Sequence, residues 1–178
     1  MDFQYIIDRA KGIILEPKRE WKQIKDEQRS KWDLILFYAL PLVALSVITG
    51  LIGTWSVWWA IYQLIMPIVS IVIASYVVNE LSEKFNSAKN LNNAFKLVVY
   101  ASTPSLLAAI IANLSLLLSW VGLFGLYSIY LFWIGISEMM ETPDDKRLTY
   151  VLISALVLIV IQFLLSLFIA PQMISPYM

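Results

Sequence analysis

Cysteine and histidine are both absent from the 178 residues. Without cysteine there is no disulfide, thiol nucleophile, palmitoyl anchor or thiolate metal site, and without histidine the commonest general base and the imidazole ligand are missing. Charge is absent too from three long stretches, 34–79, 97–137 and 148–178. The thirteen basic and thirteen acidic residues all fall in three clusters, Asp2 to Asp33, Glu80 to Lys96 and Glu138 to Arg147. With 60% hydrophobic residues and a mean hydropathy of +0.73, the chain is too apolar for a soluble domain, in which apolar types make up roughly half.

A helix needs about 20 apolar residues to cross roughly 30 Å of hydrocarbon, so the three stretches accommodate two, two and one crossings. Paired crossings in the first two stretches keep every charged cluster on one face. That face holds all the Lys and Arg, and the positive-inside rule makes it cytosolic. The expected fold is therefore all-α, a single domain over 1–178. It is a polytopic bundle of five transmembrane helices at about 34–52, 58–78, 95–117, 120–137 and 148–169, preceded by a short amphipathic cytosolic helical region over 1–33. The inner or plasma membrane is the expected location, with the N-terminus cytosolic and the C-terminus opposite.

Phe3, Ile6, Ile7, Ala10, Ile13 and Ile14 recur at helical spacing. Two placements suit this stripe: flat in the headgroup layer, or packed on the protein's own cytosolic face. Pro17 suits the first turn of a second helix, expected to be short and exposed, on which Trp21, Ile24 and Gln28 share a face and Glu27 pairs with Lys31. Pro41 should bend the first span, and Trp55, Trp58 and Trp59 suit an outer aromatic belt. Asn92 with Asn93 is the expected cap of the third span. There Ala101, Ser105 and Ala109, four apart, allow close helix packing and mark the most buried helix.

No ionisable group lies in mid-span, which speaks against ion-driven transport. Glu80 and Glu138 stand at helix ends, where solvation is the ordinary account and a metal or substrate pair the sharper one. Gln63 and Gln162 share a depth; a cross-helix hydrogen bond of about 0.6 to 2 kcal/mol is set against a polar pore. Asn79, Tyr100, Ser102 and Thr103 form a polar group beside Pro104, whose missing N–H frees a carbonyl one turn earlier. No catalytic, cofactor or metal site is legible, since no base, nucleophile elbow or phosphate loop accompanies the hydroxyls. The basic residues of the N-terminal segment are interleaved with acids, which excludes a nucleic-acid-binding stripe.

Three segments resemble the Yip1 domain family, in its prokaryotic branch. They are Ile14-Leu15-Glu16-Pro17 followed by Trp21 and Ile24, the run Asn93 to Pro104, and the exit Trp133-Ile134-Gly135-Ile136-Ser137-Glu138. The likeness covers about Ala10 to Leu165 and implies a five-helix topology with a cytosolic N-terminus. It carries over Pro17, Trp21, Tyr100, Pro104, Gly135 and Glu138. Eukaryotic members bind prenylated Rab GTPases through a long N-terminal region and an Asp-Leu-Tyr-Gly-Pro signature. The signature is not in this sequence and only residues 1–33 precede the first span, so Rab binding is not carried over. Relatives place a His after the acidic residue that ends helix four, where Met139 and Met140 follow Glu138 here.

The function expected is that of a non-enzymatic scaffold, adaptor or membrane-organising protein with a cytosolic interaction face. Its partners are the lipid bilayer, a cytosolic or membrane protein, and a second copy of itself. The alternative is a small permease or channel for a neutral or lipidic solute, and the third reading is an intramembrane enzyme.

Overall fold

The computed structural model describes residues 3–54 and 57–174, without the side chains of 53, 54, 57, 58, 162 and 165–174. Helices α1 (Phe3–Leu15) and α2 (Pro17–Asp26) precede a run made of α3 (Lys31–Leu34), a π-turn (Ile35–Ala39) and α4 (Leu40–Thr54). There follow α5 (Val57–Leu81), α6 (Leu91–Ala101), α7 (Thr103–Ala112), a 3₁₀ stretch (Leu116–Leu126), α8 (Tyr127–Met140) and α9 (Asp144–Ile174). The described residues contain no strand. Among the described residues four helical runs are long and apolar enough to cross a membrane: Lys31–Ile52, Trp59–Phe85, Leu91–Ala112 and Leu116–Met140.

Each departure from a straight helix has a local cause. Pro41 has no N–H, and its ring would press on the carbonyl one turn back; the chain widens there into the π-turn, with the Leu40 N–H bonded to the Ile35 carbonyl. Ser30 caps α3 in a reciprocal capping box with Asp33. Asn90, not Asn92 or Asn93, caps α6, accepting from the Asn93 N–H at 3.1 Å. Asn92 instead donates to the Arg29 carbonyl at 2.8 Å and Asn93 to the Met139 carbonyl at 3.1 Å, so both asparagines tie segments together. The third run breaks at Ser102, and Pro104 opens α7, where its missing donor matters least. The helix expected to reach residue 117 ends at Ala112, and the fourth run begins as a 3₁₀ stretch at Leu116. At the far end α9 continues through Pro171 to Ile174. Trp59 packs on Gly50, where a Cβ would overlap its ring; the side chains of Trp55 and Trp58 lie outside the described residues.

Leu91–Ala112 is the most enclosed of the four runs, at 67% buried. It forms the axis around which α5, α8 and the N-terminal helices pack. Ile6, Ala10 and Ile13 of α1 are buried in the common core, which settles the amphipathic stripe on the protein itself, while Phe3, Ile7 and Leu15 on its other flank stay exposed. The second helix is short but not exposed: the neighbours Glu20 and Trp21 and, one turn on, Ile24 are all buried. Trp21 lies on Gly135 of α8, where a Cβ would stand 2.5 Å from the indole and 2.7 Å from Leu97. Glycine is therefore required at 135 for α2 to dock.

Gly135→Ala should cost roughly 1 to 3 kcal/mol of stability by overpacking, read as a lower melting temperature of the detergent-solubilised protein. Trp21→Leu in the same chain should restore part of the loss; equal melting of Gly135→Ala and wild type would show that Trp21 is not seated there.

Candidate functional site

Tyrosines and paired charges converge where α1 and α2 meet the bundle. Tyr5 and Arg9 come from one turn of α1, Glu20 from the inner face of α2, and Glu27 from its C-cap. Tyr38 stands in the π-turn and Tyr100 and Thr103 flank the break between α6 and α7. The Glu27 carboxylate is the hub. It accepts from Tyr5 Oη at 2.7 Å and Tyr100 Oη at 3.2 Å, and pairs with Arg29 Nε at 2.8 Å and Arg9 at 3.4 Å. Arg9 also grips Glu20 at 2.5 Å, Gly12 leaving room for that carboxylate. The Tyr5 and Tyr100 hydroxyls also stand 2.7 Å apart, so two phenol protons serve the three contacts among Tyr5, Tyr100 and Glu27, and Tyr38 bonds Thr103 at 2.9 Å while meeting the Tyr100 ring edge-on. The Arg29 guanidinium lies 3.8 Å over the Tyr5 ring.

Two guanidiniums and two carboxylates cancel in charge, which is what allows them to be withdrawn from water. Burial raises the Tyr5 phenol above its ordinary value, and the Glu27 carboxylate adds in the same direction. Burial would lower the Arg9 guanidinium, but Glu27 and the neighbouring tyrosines outweigh it and hold Arg9 above its ordinary value. Lys96, almost fully buried, donates from Nζ to the Lys25 carbonyl at 3.0 Å, placing a cation at the C-terminal end of α2. The two charged loops are stitched to the same face. Ala88 N–H bonds the Met140 carbonyl at 2.7 Å, Ser87 bonds Thr142 at 2.9 Å, and Lys25 pairs with Glu141 at 2.9 Å.

Among the described residues no cluster has the composition to hold a metal ion. A second feature lies deeper: a cavity of about 440 Å³ between α5, α6, α7, α8 and α9. Its walls are apolar apart from Ser70, Ser102, Ser105, Ser128 and Ser154.

Residues 11–166 match the sequence model of the Yip1 domain. The chain belongs to the Yip1 domain family. No curated protein and no solved structure matches it. With its apolar helical runs, this makes it a membrane protein.

In this Yip1 domain the positions singled out in sequence divide into three groups. Trp21, Gly135 and Tyr100 belong to the docking of α2 and the hub, with Pro17 opening α2 and Pro104 opening α7. Asn79 and Glu80 form a separate pair at 3.1 Å, with Glu80 held on the surface by Lys89 at 3.2 Å. The expected polar group of Asn79, Tyr100, Ser102 and Thr103 thus splits, and Glu27 pairs with Arg9 and Arg29 rather than Lys31. Glu138 is half-buried and joins neither. Gln63 does not line the cavity, and the Gln162 side chain lies outside the described residues. Tyr5, Arg9, Glu20, Tyr38 and Lys96 carry no motif in the sequence, although Glu20 shares the inward stripe of Ile24 and Tyr5 stands one turn from Arg9.

Glu27→Ala leaves Arg9 and Arg29 without their shared partner and should cost about 3 to 5 kcal/mol, against about 1 for Tyr100→Phe. Thermal melting measures the cost, and faster tryptic cleavage at the basic residues of α1 and α2 reports their release. Because its folded value is raised, Tyr5 supports the fold up to the ordinary phenol value of 10.0 and the support is lost as pH climbs through the folded value. Phenolate absorbance, taken as the difference from Tyr5→Phe, should therefore develop above that pH.

Proposed function

We propose that this Yip1 domain is a non-enzymatic membrane scaffold or adaptor whose cytosolic face, built from α1, α2 and the two charged loops, engages a protein partner. The observation that carries the reading is the use of the polar residues. They cross-link the N-terminal helices and both loops into one braced surface, and outside that surface Lys18, Lys22, Gln23 and Asp26 of α2 remain exposed. The charge-free stretches support five crossings in the inner or plasma membrane, with α9, 31 residues long, as the fifth, a cytosolic N-terminus and a C-terminus opposite.

A permease for a lipidic solute has one observation in its favour, the serine-dotted cavity. Against it, Gln63, Asn79 and Tyr100 do not line that cavity.

Deleting α1 and α2 would strip the buried Trp21 and Ile24 from the core, so the test uses surface changes. Lys18→Glu with Lys22→Glu should alter the set of proteins crosslinked to the chain in native membranes without lowering its melting temperature. An unchanged set counts against the adaptor reading, as would solute flux in reconstituted vesicles that Ser154→Leu abolishes. Tags at residues 1 and 178 should be reachable from opposite compartments; a common compartment removes the fifth crossing.

A further inference from the structure

Between α1 and the bundle runs an apolar slot of about 460 Å³, within the size range of small-molecule sites. Its walls include Ile7 and Ala10 of α1, Leu42 and Leu45 of α4, and Leu107 and Ile110 of α7. One lining residue is charged, Lys11, which is exposed and makes no ion pair among the described residues. Lys11 and Leu15 also border a polar groove between α1 and α2, so apolar slot and polar groove meet along one edge of α1. In that groove Arg9 is paired with Glu20 and Arg19 with Glu16, which leaves Lys11 as the available cation.

We propose that this slot holds an acyl chain of a membrane glycerophospholipid whose phosphate rests on Lys11. Three observations select this occupant. The slot lies against two runs that cross the membrane, and its wall continues into the outward-facing Leu45, Ile48 and Ile111, so the medium at its mouth is hydrocarbon. The exposed Phe3, Ile7 and Leu15 place α1 in the same leaflet, with the apolar stem of Lys11 able to lie on the slot while its ammonium reaches the headgroup layer. The order of groups along the site, polar groove, cation, apolar slot, is the order of groups along a phospholipid. A second copy of the chain would need a complementary apolar ridge with an anion at its edge. The one acid on the free flank of α1, Asp8, already accepts from Gln4 at 2.8 Å.

The test is native mass spectrometry of the full-length protein extracted from vesicles of phosphatidylglycerol or phosphatidylcholine. Wild type should retain one phospholipid per chain from either vesicle, more tightly from the anionic one. Lys11→Glu should weaken retention about ten-fold, the order expected for reversing one charge at a lipid surface. Leu45→Trp and Ile110→Trp, two independent ways of filling the slot, should abolish it, whereas Lys84→Glu, at an exposed position that lines neither slot nor groove, should match wild type. Retention unchanged in Lys11→Glu and in both tryptophan variants overturns the proposal. So does displacement of the ligand by inorganic phosphate alone, or a tryptophan variant that changes the oligomeric state while lipid retention stays the same.

Discussion

One carboxylate, that of Glu27, receives two phenols and two guanidiniums from three separate parts of the chain. The placement of both N-terminal helices depends on this convergence. In a poorly hydrated site such interactions are strong when all are made and costly when one is missing, so the network favours a single docked arrangement over partial ones. Its members come from α1, from the residues just after α2 and from α6, and Tyr38 extends it into the first span by its edge-on contact with Tyr100. Apolar packing of Trp21 on Gly135 and of Ile13 and Ile24 in the core supplies the contact area, while the polar layer supplies the register.

Much of the architecture was legible because hydrocarbon imposes it. Charge confined to three clusters leaves few ways to thread the chain, and the four described runs long and apolar enough to cross lie largely between those clusters. Less legible were the irregular joints. A proline in sequence announces a missing donor but does not say whether the chain kinks, starts a new helix or widens into a π-turn; Pro104 does the second and Pro41 the third. The hub was hidden for a different reason. Interleaved acids and bases on amphipathic helices look like a solvated face, and only the placement of α1 over Tyr100 turns Arg9 and Glu27 inward. Asn92 and Asn93 were misassigned as a cap because the capping geometry is met two and three residues earlier, at Asn90, which frees them for longer-range bonds.

The small residues of the third run show how one pattern serves two ends. Ala108 is packed out of contact, whereas Ala101, Ser105 and Ala109 line the central cavity together with Ser128 and Ser154. Ser102 and Ser105 return their hydroxyls to carbonyls of their own helix at 2.7 and 2.8 Å, and Ser128 bonds Ser105 at 3.1 Å. These hydroxyls therefore turn back on carbonyls, those of Val98 and Ser102, that already accept a backbone N–H. The cavity they leave is greasy despite its count of serines.

The stretch Leu116–Leu126 has a bearing on how thick a bilayer this chain can match. Wound as a 3₁₀ helix, its eleven residues extend over about 22 Å, where α-helical winding would give about 16 Å. The difference is about one α-helical turn of extra reach, gained without any added residue, in the apolar stretch that has the fewest residues to make two crossings. A tighter coil here compensates for hydrophobic length, and it lets an uneven pair of segments meet the same two interfaces.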